Sequence, residues 1–104
     1  MSSKITDAQV TIDLMQKSDL PEILAIEKVS FSSPWTEGMF AEELENKLAQ
    51  CLVIRINYGS KSILAAYIIF RLIADEAHLH NLAVKKEFQR QSLARSLMLS
   101  LIHI

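Results

Sequence analysis

The segment Gln89-Arg90-Gln91-Ser92-Leu93-Ala94-Arg95 follows an apolar strand from His78 to Val84 and opens an amphipathic helix that runs to the C-terminus. A strand, a basic turn and a helix start together make an anion site. The free backbone N–H groups of a first helical turn point outward with the positive end of the helix dipole. Lys85, Lys86, Arg90 and Arg95 gather positive charge beside that turn, and charge-assisted hydrogen bonds to phosphate oxygens are among the stronger polar contacts. The plainer reading of the same residues is a solvated charged turn. On the preceding strand, His78 offers an imidazole, the side chain most often used as a general base, or it is simply a half-buried residue at a strand end. His80 lies two residues on and shares its face. Two histidines with no third ligand make a poor zinc site, so no metal is expected.

The remaining candidates are weaker. Cys51, the sole cysteine, has apolar neighbours and reads as core rather than as an activated thiol, which needs a polar, electropositive setting. One cysteine also excludes an internal disulfide and fits a reducing compartment. Tyr58 falls in an expected turn and Tyr67 within a strand core.

The elements that must position these residues follow from periodicity. Val10, Ile12 and Leu14 alternate with Thr11 and Asp13 as a strand with one buried face. Asp19 and Glu22 form a capping-box pattern around Pro21, opening a helix whose stripe is Leu20, Ile23, Leu24, Ile26 and Glu27, ending near Ser30. Phe31-Ser32-Ser33-Pro34-Trp35 breaks that pattern. Thr36 caps a second helix to about Lys47, with Met39, Phe40 and Leu44 on one face. Cys51 to Ile56, Ile63 to Ile73 and Ala77 to Val84 are strand-like runs, turned by Asn57 to Lys61 and by Asp75-Glu76. In the last helix Leu93, Ala94, Leu97, Met98, Leu101 and Ile102 recur at helical spacing. The order is strand, two helices, a three-strand antiparallel meander and a helix, an α+β fold.

Composition sets the outer limits. A chain of 104 residues, half of them apolar, holds one domain and one modest core. Lys plus Arg number 11 against 12 Asp plus Glu, so no nucleic-acid partner is expected. The longest apolar run, Ile63 to Phe70, is too short for a membrane span, and the first residues lack a signal-peptide core. A soluble cytoplasmic protein is the resulting expectation.

That element order, joined to Asp75-Glu76-Ala77-His78-Leu79-His80-Asn81-Leu82-Ala83-Val84 and to the Gln89 to Ala94 turn, resembles the front part of a GNAT-superfamily N-acetyltransferase. The similarity is greatest to the RimI type, which acetylates the N-terminal alanine of a ribosomal protein. The acetyl-CoA motif of that family reads Gln or Arg, two residues, Gly, one residue, Gly or Ala. Gln89 and Ala94 match it, and Arg90, Gln91, Leu93 and Arg95 fit its context. Pro34-Trp35-Thr36 and Asp19-Leu20-Pro21 also resemble the subfamily's N-terminal half, so residues 9–104 read as a single partial domain of this kind.

The resemblance implies acetyl-CoA as co-substrate and the α-amine of a protein N-terminus, in the RimI type a ribosomal protein's, as acceptor. It implies that the backbone of Leu82, Ala83 and Val84 pairs with the pantetheine arm and that Arg90 to Arg95 cradle the pyrophosphate. Pro34 and Trp35 would line the peptide cleft. The plainer role for Trp35, and for Phe31, is to staple two helices onto the sheet. Ser92 stands where the family usually has glycine, which lets backbone approach phosphate closely; a serine hydroxyl can cap the helix or donate to phosphate. The family's proposed base and acid, a glutamate and a tyrosine, belong to a part beyond the position of Ile104. Weak or absent turnover is therefore expected, with His78 as the base candidate within the chain. The strand from Ala77 to Val84 is expected to present an unpaired edge, open to a second copy or to a partner that completes the sheet. A non-catalytic CoA-binding or interaction module is the alternative.

Overall fold

The computed structural model describes residues 9–89. Four strands form: β1 (Gln9–Leu14), β2 (Ala49–Tyr58), β3 (Lys61–Ile73), whose central run is buried on both faces, and β4 (Glu76–Val84). They form one sheet in the order β1-β2-β3-β4, antiparallel throughout. Between β1 and β2 run a 3-10 turn (Lys17–Asp19) and two helices, α1 (Leu20–Ser30) and α2 (Glu37–Glu45). A second 3-10 turn, Lys86–Phe88, follows β4. The α+β reading and the meander hold. The expected C-terminal helix, with Arg90, Gln91, Ser92, Leu93, Ala94 and Arg95 at its start, lies outside the described residues. Among the described residues no helix is long and apolar enough to cross a membrane.

Both helices lie on one face of the sheet. Ile23 and Ile26 of α1 and Phe40 of α2 pack with Cys51, Val53, Tyr67, Ile69 and Ala83, all buried. Trp35 of the elbow between the helices joins this cluster, its ring 5.1 Å from that of Phe40, which meets Tyr67 edge-on at 5.9 Å. The other face gathers Ile56 and Ala65 with Phe88, flanked by Val10 and Val84.

Local chemistry explains most boundaries. Thr36 caps α2, its Oγ1 accepting from the Met39 N–H at 3.3 Å. The β2–β3 hairpin needs only Gly59 and Ser60 between the paired Tyr58 and Lys61, with Gly59 at φ 59°, the first central position of a two-residue turn where glycine is favoured. The β3–β4 turn is Ala74-Asp75 rather than Asp75-Glu76. Both have positive φ (50° and 69°), as a I′ hairpin turn requires.

Other expectations also need correction. Asp19 does not cap α1 through its side chain. Its carboxylate accepts from the Gln16 N–H and pairs with Arg55, which also pairs with Asp13, because a buried carboxylate goes to the strongest available donor. The apolar face of β1 is largely uncovered: Ile12 is 40% and Leu14 65% exposed, as residues of an edge strand beyond the reach of both helices. Helix α2 ends at Glu45, and Met39 turns outward while Phe40 is fully buried.

Candidate functional site

The free edge of β4 is the first part of the site. Along an antiparallel ladder, successive residues turn their N–H and C=O alternately toward the partner strand and away from it. The Lys85 N–H donates to the Ala65 carbonyl at 2.7 Å, so Lys85, Ala83 and Asn81 face β3 and Leu82 and Val84 face outward. Among the described residues, two of the four outward groups find a partner. The Leu82 N–H donates to Asn81 Oδ1 at 2.8 Å, and the Val84 carbonyl accepts from Gln89 Nε2 at 3.0 Å. Leu82 C=O and Val84 N–H remain directed at the edge. Of the expected cofactor strand, Leu82 and Val84 thus present backbone outward, whereas Ala83 turns its polar groups to Tyr67.

A bulge interrupts β4 just before this edge. Ile69 faces Asn81 but Phe70 faces Leu79, so His80 is the extra residue. The two-residue period used to group the histidines therefore fails at His80. Both nonetheless lie near one ion pair: His78 is opposite Arg71 in register, and Arg71 binds Glu43. Glu43 is held below the usual carboxylate range chiefly by its hydrogen bond from Arg71, and the charge of His80 lowers it further. His78 itself is exposed, its Nε2 3.3 Å from Glu76.

Beneath the edge lies a carboxylate that the periodicity reading placed only within an apolar stripe. Glu27 is 1% exposed. It accepts from Tyr67 Oη at 2.5 Å, from Asn81 Nδ2 at 3.0 Å and from the Trp35 backbone N–H at 2.9 Å. The signal was present in the sequence: Leu20, Ile23 and Glu27 are spaced as one helix face, so a glutamate there must be buried and must find donors. Burial first, and Glu27 second, push the Tyr67 phenol far above its usual value, so it keeps its proton.

Of the expected substrate loop, Pro34 is exposed and Trp35 half-buried in the helix-side core, so the stapling role of Trp35 is realised. Lys85 sits 3.6 Å from Glu87. Lys85 and Lys86 also line a cavity of about 240 Å³ whose apolar wall includes Ala25, Ile26, Val29 and Leu64. Cys51 is buried, and its thiol is pushed up to about 11, first by burial and then by the charge of Glu43.

Residues 20–104 match the acetyltransferase (GNAT) family. Over 91 residues the chain is 36% identical to a putative ribosomal protein bS18-alanine N-acetyltransferase of Bacillus subtilis (strain 168), covering 86% of this chain and 58% of that protein. Over 92 residues it is 36% identical to the ribosomal protein bS18-alanine N-acetyltransferase of Escherichia coli (strain K12), covering 88% and 59%. The chain thus spans less than two thirds of the length of these relatives. Its fold superimposes on the crystal structure of the Escherichia coli ribosomal-protein-S18-alanine N-acetyltransferase with a TM-score of 0.72 at 32% identity, over 89% of this chain and 57% of that one. The Thermoplasma acidophilum PaiA N-acetyltransferase, solved with coenzyme A, shares the fold at a TM-score of 0.66 and 17% identity, over 89% of this chain and 69% of that one.

Proposed function

The chain belongs to the acetyltransferase (GNAT) family, and we propose that it binds acetyl-CoA along the free edge of β4 for transfer of the acetyl group to a protein N-terminus. The pair formed by Leu82 C=O and Val84 N–H carries this reading. An acceptor on one residue and a donor two residues on is what an extended amide chain meets when it docks alongside a strand in parallel. The pantetheine arm is such a chain. Gln89, which braces the Val84 carbonyl, begins the segment to Arg95 that would hold the pyrophosphate.

The chemistry asked of the site is direct attack. The lone pair of a neutral amine forms the new C–N bond at the thioester carbonyl, the C–S bond breaks, and the thiolate takes a proton. A protein α-amine has a pKa of about 8, so a modest base or a water chain suffices to keep it neutral. His78 stands four residues from Leu82, roughly 13 Å along the strand, so its part as base runs through water. The exposed Pro34 and the elbow that carries Trp35 flank the acceptor. Likeness to the bS18-alanine enzymes supports a ribosomal protein N-terminus as that acceptor and a cytoplasmic setting.

Calorimetric titration of acetyl-CoA into the chain, with light scattering for its mass and a peptide beginning with alanine as acceptor, tests the reading. Binding with at most weak acetylation of the peptide is the expected result. Absence of any heat of binding would remove it. Binding without transfer, in a chain that pairs with itself, would favour a sheet-completing interaction module instead.

A further inference from the structure

Glu27 reaches further than its place in α1 suggests. Its Oε1 accepts from Tyr67 of β3 and from Asn81 of β4, and its Oε2 from the Trp35 N–H in the elbow. Among the described residues no Lys, Arg or His forms an ion pair with it. A buried carboxylate without a cation is costly unless donors surround it. An apolar side chain at this position would fill the same space without that demand, so what the carboxylate adds is direction.

That direction passes to the edge through Asn81. An asparagine amide has two donors on one end and an acceptor on the other. With Nδ2 committed to Glu27, Oδ1 is turned onto the Leu82 N–H. The Leu82 amide is thereby withdrawn from the edge, leaving the C=O of Leu82 and the N–H of Val84 as the groups an extended ligand meets.

We propose that Glu27 is a positioning residue that registers the elbow carrying Trp35 to the free edge of β4. An acyl carrier on the edge and an amine beside the elbow are then both placed by one buried side chain, and small errors in such placement are expensive for a transfer reaction. This inference rests on the reading of the β4 edge as the acetyl-CoA site.

Backbone amide exchange followed by NMR on the full chain tests it, in the unsubstituted protein, in Glu27→Gln and in Asn81→Ala. Loss of one hydrogen bond should speed exchange about tenfold at the amide that made it. In Glu27→Gln, Trp35 and Leu82 should both accelerate while Ile54 and Ile68 in mid-sheet stay unchanged. In Asn81→Ala, Leu82 alone should accelerate, and acetyl-CoA affinity should fall about tenfold. Unchanged exchange at Leu82 in either variant overturns the proposal, as does uniform acceleration across the sheet, which would make Glu27 a merely stabilising residue. If Glu27→Gln does not fold, Glu27→Asp, which shortens the side chain by one methylene, should accelerate Trp35 and Leu82 together, and unchanged exchange at both overturns the proposal. Failure of the unsubstituted chain to bind acetyl-CoA would defeat the cofactor reading, whereas the exchange pattern decides the Glu27 linkage independently.

Discussion

Arg71 and Glu43 meet through two parallel hydrogen bonds, Nε to Oε2 at 2.8 Å and Nη2 to Oε1 at 2.9 Å, which tie the end of β3 to α2. The fork geometry fixes orientation as well as supplying attraction. It also sets how this end of the fold responds to acid. Because the folded-state pKa of Glu43 is depressed below its usual 4.5, its contribution to stability is complete above that value and is lost as the pH falls through the folded value.

Urea unfolding of Arg71→Met therefore gives a lower midpoint than the unsubstituted chain at pH 7. The gap narrows in strong acid, where Glu43 is protonated in both proteins. A gap that stays the same size at every pH down to acid unfolding would show that the guanidinium acts by packing alone.

Cys51 supplies a second check. With its thiol pushed up to about 11, only about one molecule in a thousand carries the thiolate at pH 8, and reagents attack the thiolate. Labelling with a chromogenic disulfide should be slow in native buffer and fast in denaturant. A rapid native reaction would place the thiol outside the core.

Ala74 holds φ 50° in the β3–β4 turn, a region where a Cβ costs about 1 kcal/mol or more. Replacing it with glycine relieves that strain but gives the unfolded chain more freedom, so Ala74→Gly should stabilise by a net ~0.5–1 kcal/mol. Chemical denaturation with an unchanged m-value is the measurement. A loss of stability would mean that the turn tolerates alanine without strain.

Much of this fold can be read from pattern because short-range chemistry decides it. Thr36 before a helical run acts through its hydroxyl on an amide three residues on, Gly59 between two β-rich runs acts through its own φ, and the structure uses both as read. What escapes pattern is decided by distant partners. Asp19 looks like a cap, but Arg55, 36 residues away, takes its carboxylate. The bulge at His80 carries no glycine or proline to announce it, yet it breaks the strand period and sets Asn81 against Glu27. Glu27 was visible as a helix position, but its role depends on residues from three other segments, which only the folded chain brings together.

Among the described residues Leu82 C=O and Val84 N–H are the open groups of the β4 edge, and the Val84 amide reports on a ligand there most directly. Titrating acetyl-CoA into isotopically labelled chain should move the Val84 N–H resonance saturably, and Val84→Pro, which removes that donor at an edge that tolerates proline, should weaken binding about tenfold. A Val84 resonance that stays fixed while acetyl-CoA binds, with affinity unchanged in Val84→Pro, would place the cofactor elsewhere and contradict the account.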